Sequence, residues 1–324
     1  MTPRYVHIND EGRKLECQNP ETCRFGTAAR TEGEARTLYE KKMSAHLLAS
    51  TTTLKEHRRQ NSAGLRYVSL KDMSAAELAN CLRYLSRDLG FDEEKVEQAI
   101  EVATVLHQNQ VRTPHNSQKR TPYIEHPLRN AIRLIRMGVK EQDLVVSAVL
   151  HDTIEDGSVD FVLKCSKGAA RREDVDEPRA RKLLGAYIRK EFGEHVLNVV
   201  LSVTNDYVPK GKKQVGIEEK TRTYCNHVAR SIHKNPDALL VKLSDYVDNA
   251  TGLYHNLGRG REERIMRMAI KYLPVADVFR HEMHVCGRLP IPDSERREIL
   301  HKMRNTERRL RSIIVMYESM GFRP

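Results

Sequence analysis

The chain has 324 residues, 39% of them hydrophobic and 31% charged, with no tryptophan. Its 55 Lys and Arg outnumber 44 Asp and Glu, for a formal charge of +11 and a pI near 9.3. That length can bury one large core or two smaller ones, and the positive balance suits an anionic partner such as a nucleotide or RNA as well as plain solubility. No apolar run approaches the roughly 20 residues of a membrane helix. The opening Met1–His7 lacks the apolar core of a secretory signal, so a membrane-spanning or secreted protein is disfavoured and a cytoplasmic one expected. The cysteines are scattered, and Cys17 and Cys23 form the one close pair. No second pair completes a zinc knuckle around them, and reduced thiols are the expectation.

Residues 1–64 read as an appendage and linker: 1–33 irregular or β-containing, a helical pattern from Glu34 to about Ala49, then a polar stretch to Gly64. Helical signals then follow one another. Ser74 with Glu77 makes a capping box for a helix through Leu85, and Asp92 caps a second containing Val96, Ile100, Ala103 and His107. Pro127 suits a first turn, with Gly138 as the stop. The segment 143–155 is strongly apolar and predicts a buried helix. Further helices are expected near 178–192, 194–203, 218–234, 236–254, 262–284 and from Asp293 to Gly321. The segments 157–180 and 205–216, rich in lysine, arginine and glycine, read as polar loops. Strand-like alternation is scarce, so the fold class is all-α.

The chemistry concentrates in Val149-Leu150-His151-Asp152-Thr153-Ile154-Glu155-Asp156. A histidine beside an aspartate at the end of an apolar helix costs free energy to bury unless the two are paired or bound to a metal. Glu155 and Asp156 follow one turn later. Two more segments carry candidate ligands: His126, directly before Pro127, and Asp245 in Val241-Lys242-Leu243-Ser244-Asp245, with Asn249 one turn on. His126, His151, Asp152 and Asp245 make a two-nitrogen, two-oxygen set that suits Mn²⁺, with Fe²⁺, Co²⁺ or Zn²⁺ as lesser fits.

The order His126, His151-Asp152, Asp245 resembles that of the HD-domain metal-dependent phosphohydrolases. The longer phrases resemble the hydrolase branch of the RelA/SpoT homologues: Gln110-Val111-Arg112, Pro122-Tyr123-Ile124-Glu125-His126-Pro127, Leu150 to Asp156, and Val241 to Asn249. The resemblance covers roughly residues 95–260. It implies an HD-domain helical bundle over 65–260, with 261–324 as a helical extension packing on it. It also implies that His126, His151, Asp152 and Asp245 hold Mn²⁺ and that Glu155 and Asp156 activate the attacking water. Asn249 then lies near ribose and phosphates, and Arg112 packs on the purine, with Arg120 as its rival. Lys242 and Tyr246 are further candidates for substrate contact. The activity implied is removal of the 3′-pyrophosphate of guanosine tetra- or pentaphosphate, by a small alarmone hydrolase. The alternative is an antitoxin paired with a toxic alarmone synthetase, which acts on the 3′ end of tRNA or neutralises the toxin's product.

Two departures from the family pattern stand out. Tyr246 replaces the usual arginine after the aspartate, and Asp248 the usual histidine before the asparagine. The stretch from Gly157 to about Pro178 looks like an insertion. The basic residues Arg304, Arg308, Arg309 and Arg311 near the C-terminus give either a solvated helix face or a surface for RNA.

Overall fold

The computed structural model describes residues 5–8, 14–17, 31, 34–35, 69–112, 121–167, 169–207, 216–257, 261–286 and 289–323. The chain divides into two units, 1–68 and 69–324. In the first, strands β1 (Tyr5–Ile8) and β2 (Lys14–Cys17) pair antiparallel, with Tyr5 opposite Cys17. Thr31 Oγ1 accepts the Glu34 backbone N–H at 3.2 Å, and residues 34 and 35 are helical. The rest of the helix expected to Ala49, and Cys23, lie outside the described residues.

The second unit is built of helices. Helix α1 (Ala75–Asp88) opens with the expected capping box: Ser74 N–H donates to Glu77 Oε2 at 2.7 Å, and Glu77 N–H to Ser74 Oγ. In α2 (Glu93–His107), Asp92 Oδ1 accepts from the backbone of Glu94 and Lys95. A two-residue ladder, β3 (Val111–Arg112) with β4 (Thr121–Pro122), leads into α3 (Glu125–Arg136). Gly138, after α3, has φ +87°, and a Cβ there would lie 2.8 Å from Pro292 Cδ. Both the left-handed backbone and the close approach require glycine.

Helix α4 (Gln142–Leu150) has no polar face: every residue from Leu144 to Leu150 is buried. Such a helix is held by burial on all sides, at about 1.5–3 kcal/mol for each large aliphatic side chain. It packs against α2, α3 and α8 (Glu194–Val203), and α10 (Ala238–Ala250) packs against α3, α4 and α8. The apolar run expected as one helix over 143–155 is interrupted. Helix α4 ends at Leu150, and after His151 and Asp152 a single turn, α5 (Thr153–Asp156), begins. The Thr153 hydroxyl caps the Leu150 carbonyl at 2.6 Å. The break re-aims the polar cluster that an unbroken helix would have spread around its axis.

The segment read as a polar loop over 157–180 holds a helix, α6 (Ser158–Cys165), and a 3₁₀ turn at Arg172–Asp174 before α7 (Glu177–Phe192). Its charges misled the reading; Phe161, stacked on Tyr187 at 5.3 Å, anchors it. Helices α9 (Ile217–Lys234), α11 (Glu262–Val285) and α12 (Asp293–Ser319) complete the unit, with α11 packing on both α9 and α12. The all-α class stands. Among the described residues, no helix is long and apolar enough to cross a membrane.

Candidate metal centre and adjoining cavity

Three buried helices deliver the polar cluster. His126 lies in the first turn of α3, His151 at the end of α4, and Asp245 midway along α10. One ligand atom each of His126, His151 and Asp245 falls within a 4.8 Å group. His126 Nε2 is 3.1 Å from Asp245 Oδ1 and 3.5 Å from Asp152 Oδ2; His151 Nε2 is 2.9 Å from the same Asp152 oxygen. Both imidazoles are fixed from behind. His126 Nδ1 donates to Asp248 Oδ2 at 2.8 Å, and His151 Nδ1 to the Ala148 carbonyl at 2.9 Å. With Nδ1 protonated on each ring, both Nε2 lone pairs point at the shared centre, the tautomer a metal needs. The buried His151 Nε2, though 2.9 Å from Asp152 Oδ2, makes no well-aligned hydrogen bond. Buried polar atoms without partners are costly, and this one aims at two carboxylates, so the donor set fits a divalent cation.

Burial alone would raise Asp152 and Asp245, but the neighbouring histidines outweigh it and hold both carboxyls below the ordinary range. His151 is shifted upward: its burial opposes the charged ring, and Asp152 overcomes that. This mutual attraction of two bases and two carboxylates is the electrostatic signature of a site built for a cation.

Asp248, one of the departures from the family pattern, proves to be the hub behind the centre. Its fully buried carboxylate accepts from His126, from Arg129 at 3.0 and 3.1 Å and from Arg133 at 2.8 Å, and pairs with Lys71 at 3.0 Å. Burial would push it up, yet Lys71, His126, Arg133 and Arg129 keep it well below the usual carboxylate range. Burial in turn lowers Lys71 to about 8. Lys71, Arg129 and Arg133 drew no attention in the sequence; the arginine spacing on one face of α3 was the available signal.

Tyr123, inside the Pro-Tyr-x-x-His-Pro phrase, links centre to cavity. Its hydroxyl donates to Asp152 Oδ2 at 2.7 Å and lies 3.5 Å from Asp156 Oδ2. Its ring rests on His107 at 4.8 Å, with the Arg112 guanidinium 4.6 Å from its centroid. Arg112 also donates to the Tyr123 hydroxyl and to Asn249 Oδ1, both at 3.1 Å, and Asn249 Nδ2 donates to Asp245 Oδ1 at 2.6 Å. Arg112 and Asn249 thus touch each other beside the centre. They line a cavity of about 510 Å³ together with Lys71, Tyr123, Arg261 and Arg264.

The two carboxylates that follow the His-Asp pair diverge. Glu155 turns away to Asn205, whose backbone N–H donates to Oε2 at 3.0 Å and whose amide donates to Oε1 and Oε2 at 3.1 and 2.9 Å. Asp156 stays beside Tyr123, and burial, with Asp152 and Glu155 nearby, raises it to about 6. Gly157 makes the turn possible, since a Cβ there would sit 2.9 Å from the Thr153 carbonyl and 3.0 Å from Leu106 Cβ. Asn205 was invisible in the sequence because it lies in a segment read as a loop.

Two candidate substrate contacts, Tyr246 and Lys242, are buried in the core. Tyr246 is 1% exposed, packed on Phe279 at 5.2 Å and Tyr272 at 5.9 Å, so neither face of its ring is open to a base. One residue after Asp245, it lies about 100° further round α10, turned into the core against α11. Lys242 is buried too, and its ammonium donates to the Val203 carbonyl at 2.7 Å rather than standing free in the cavity. Arg120 lies outside the described residues.

No family model matches the chain. Three known proteins are similar to it. A guanosine-3′,5′-bis(diphosphate) 3′-pyrophosphohydrolase of Aquifex aeolicus is 27% identical over 195 residues, which is 59% of this chain and 22% of that protein. The protein named guanosine-3′,5′-bis(diphosphate) 3′-pyrophosphohydrolase MESH1 of Xenopus tropicalis is 28% identical over 174 residues, 53% of this chain and 77% of its own. Its namesake of Danio rerio is 27% identical over 157 residues, 48% of this chain and 67% of its own. The chain therefore spans about a fifth of the first relative and most of the two MESH1 proteins. The all-α chain is thus similar, over about half its length, to proteins named guanosine-3′,5′-bis(diphosphate) 3′-pyrophosphohydrolase.

Proposed function

We propose that the protein is a metal-dependent 3′-pyrophosphohydrolase that converts guanosine tetraphosphate and water to guanosine diphosphate and pyrophosphate, working in the cytoplasm with Mn²⁺. The observation that carries the reading is the convergence of His126 Nε2, His151 Nε2, Asp152 Oδ2 and Asp245 Oδ1 at the edge of a basic cavity. When bound, the ion lowers the pKa of water and offsets charge on phosphate oxygens.

The chain's own groups do the rest. The new bond joins the water oxygen to the phosphorus next to the ribose, and the bond from that phosphorus to the 3′ oxygen breaks. The 3′ oxygen takes up a proton to leave as a hydroxyl, balancing the one that water gives up. Asp156 is the proton-transfer group: with a carboxyl near 6 it is mostly ionised at neutral pH and can take the water's proton. Glu155, held by three donors from Asn205, keeps a fixed position at the other side of the turn. Tyr123 fixes Asp152, so the ligand oxygen and the proton acceptor keep their spacing. Arg112 presents a guanidinium plane for the purine, Asn249 an amide for the ribose, and the rim arginine Arg261 faces the 5′ phosphates.

The test is pyrophosphate release from guanosine tetraphosphate and from 3′-pyrophosphorylated tRNA, with Mn²⁺ and with Asp152→Ala as the blank. Release from the nucleotide, abolished in the variant, is expected. Release from tRNA alone would replace the reading by the antitoxin type of reaction, and no release from either would end it.

A further inference from the structure

Two cavities flank α11. The first adjoins the metal centre; the second, of about 370 Å³, lies between α9 and α11 and shares Arg264 and Met268 with the first. Its cations are Lys220 on α9 and Arg264, Arg267 and Lys271 on α11, and among the described residues no carboxylate lines it. The three on α11 fall at helical spacing, on one face. Glu263 engages Arg267 at 2.6 Å. Lys271 instead lies over aromatic rings, its Nζ 4.0 Å from the Tyr224 centroid and 5.4 Å from that of Tyr272. Among the described residues it has neither a hydrogen bond nor an ion pair.

Lys271 also stands at the junction with the chemistry. Tyr272, under its ammonium, lines the first cavity, and Tyr224 separates it from Lys242, whose Nζ is 5.7 Å from the same ring. Burial lowers the Lys271 pKa, and Asp245 and Glu155 are among the groups that pull it upward. A 3′-pyrophosphoryl group brings further negative charge beside Asp152, Asp245, Glu155 and Asp156. The attacked phosphate is answered by the metal, but the second phosphate needs a cation of its own. Lys242 is committed to the Val203 carbonyl, Arg129 and Arg133 to Asp248, and Arg112 to Asn249 and Tyr123. Among the described residues Lys271, like Arg264 and Lys220 beside it, has no carboxylate or carbonyl partner, and it is the one of the three that lies over Tyr272 of the first cavity.

We propose that Lys271, with Arg264 and Lys220 beside it, forms a subsite for the distal phosphate of the 3′-pyrophosphoryl group, the phosphate that water does not attack. The assignment rests on the proposed function and names the residue that distinguishes a 3′-diphosphate from a 3′-monophosphate.

The experiment compares wild type, Lys271→Met and Lys271→Arg as full-length, metal-loaded protein of matched melting temperature. It measures KM for guanosine tetraphosphate and the inhibition constants of inorganic pyrophosphate and of guanosine diphosphate. Loss of one charge-assisted contact predicts roughly a tenfold rise in KM and in the pyrophosphate constant. The guanosine diphosphate constant stays unchanged and Lys271→Arg largely restores the others. Unaltered pyrophosphate affinity, or equal weakening of guanosine diphosphate, overturns the subsite. A loss confined to a 3′-pyrophosphorylated oligoribonucleotide overturns it too, in favour of a polynucleotide groove. Pyrophosphate binding that depends on Lys271 in a wild type inert towards guanosine tetraphosphate keeps the subsite and overturns the function.

Discussion

The two walls of the site are built on opposite plans. On the α3–α4–α10 wall every polar group has a second partner: His126 is backed by Asp248, His151 by Ala148 and Asp152 by Tyr123. On the α9–α11 wall, Arg261, Arg264 and Lys271 line cavities with neither hydrogen bonds nor ion pairs among the described residues. The first wall is organised before any ligand arrives, which is where a metal site gains its precision. The second keeps its charges uncommitted, so their partners come with the substrate. Stability should therefore be concentrated in the first wall and substrate selectivity in the second.

The sharpest way to break this contrast is Asp248→Ala. It strands Lys71, Arg129 and Arg133 in a buried site, and removing one partner of a buried ion cluster costs about 3–5 kcal/mol. Denaturant unfolding should show that loss, and metal affinity should fall roughly 10- to 100-fold as His126 loses its orienting carboxylate. Lys271→Met, by contrast, should change stability by no more than about 0.5 kcal/mol, the usual range away from packed networks. Comparable losses in the two variants would erase the distinction between the walls.

A middle-sized effect is expected from Asn205→Ala, which releases Glu155. The backbone N–H remains as a donor, so kcat should drop about tenfold, roughly the value of one charged hydrogen bond, with metal content unchanged. A change in metal content instead would make Glu155 part of the ligand set.

The smallest effect tests the outer shell. His195 bridges Asp143 at 3.2 Å and Asp237 at 2.9 Å. Partial burial opposes its charge, but the two carboxylates outweigh that and raise its pKa above the ordinary value. A group whose folded pKa is raised contributes stability that is complete below its unfolded pKa, near 6.5, and is lost as pH rises through the folded value. Denaturation midpoints of wild type should therefore exceed those of His195→Gln at pH 5.5 by more than at pH 8.5. Because the pair is largely exposed the difference is small, and a difference that grows with pH would contradict it.

Much of this was legible in the sequence, for identifiable reasons. Ser74 with Glu77, and Asp92, announce helix starts because capping chemistry is local. The candidate ligands are readable because a histidine or aspartate within an apolar helix has few structural excuses. What failed to show was long-range. Asp248 looked like a mere departure from a pattern, since its nearest cationic partners come from Lys71 and from α3, more than a hundred residues away. Asn205 reaches Glu155 across fifty positions. Tyr246 packs on Phe279 and Tyr272 because one step along a helix turns a side chain about 100° from its neighbour. The break at His151 is set by packing around α4 and by the Thr153 cap, which an apolar run does not encode.

The central claim is that this chain's convergent histidines and aspartates hold a metal on which pyrophosphate release depends. The most direct measurement is the rate of pyrophosphate release from guanosine tetraphosphate against bound Mn²⁺ per chain, in wild type and in Asp245→Ala. The account predicts a rate that rises in proportion to occupancy and levels off at one ion, with neither binding nor release in the variant. Release that persists in the metal-free protein, or in Asp245→Ala, would contradict it.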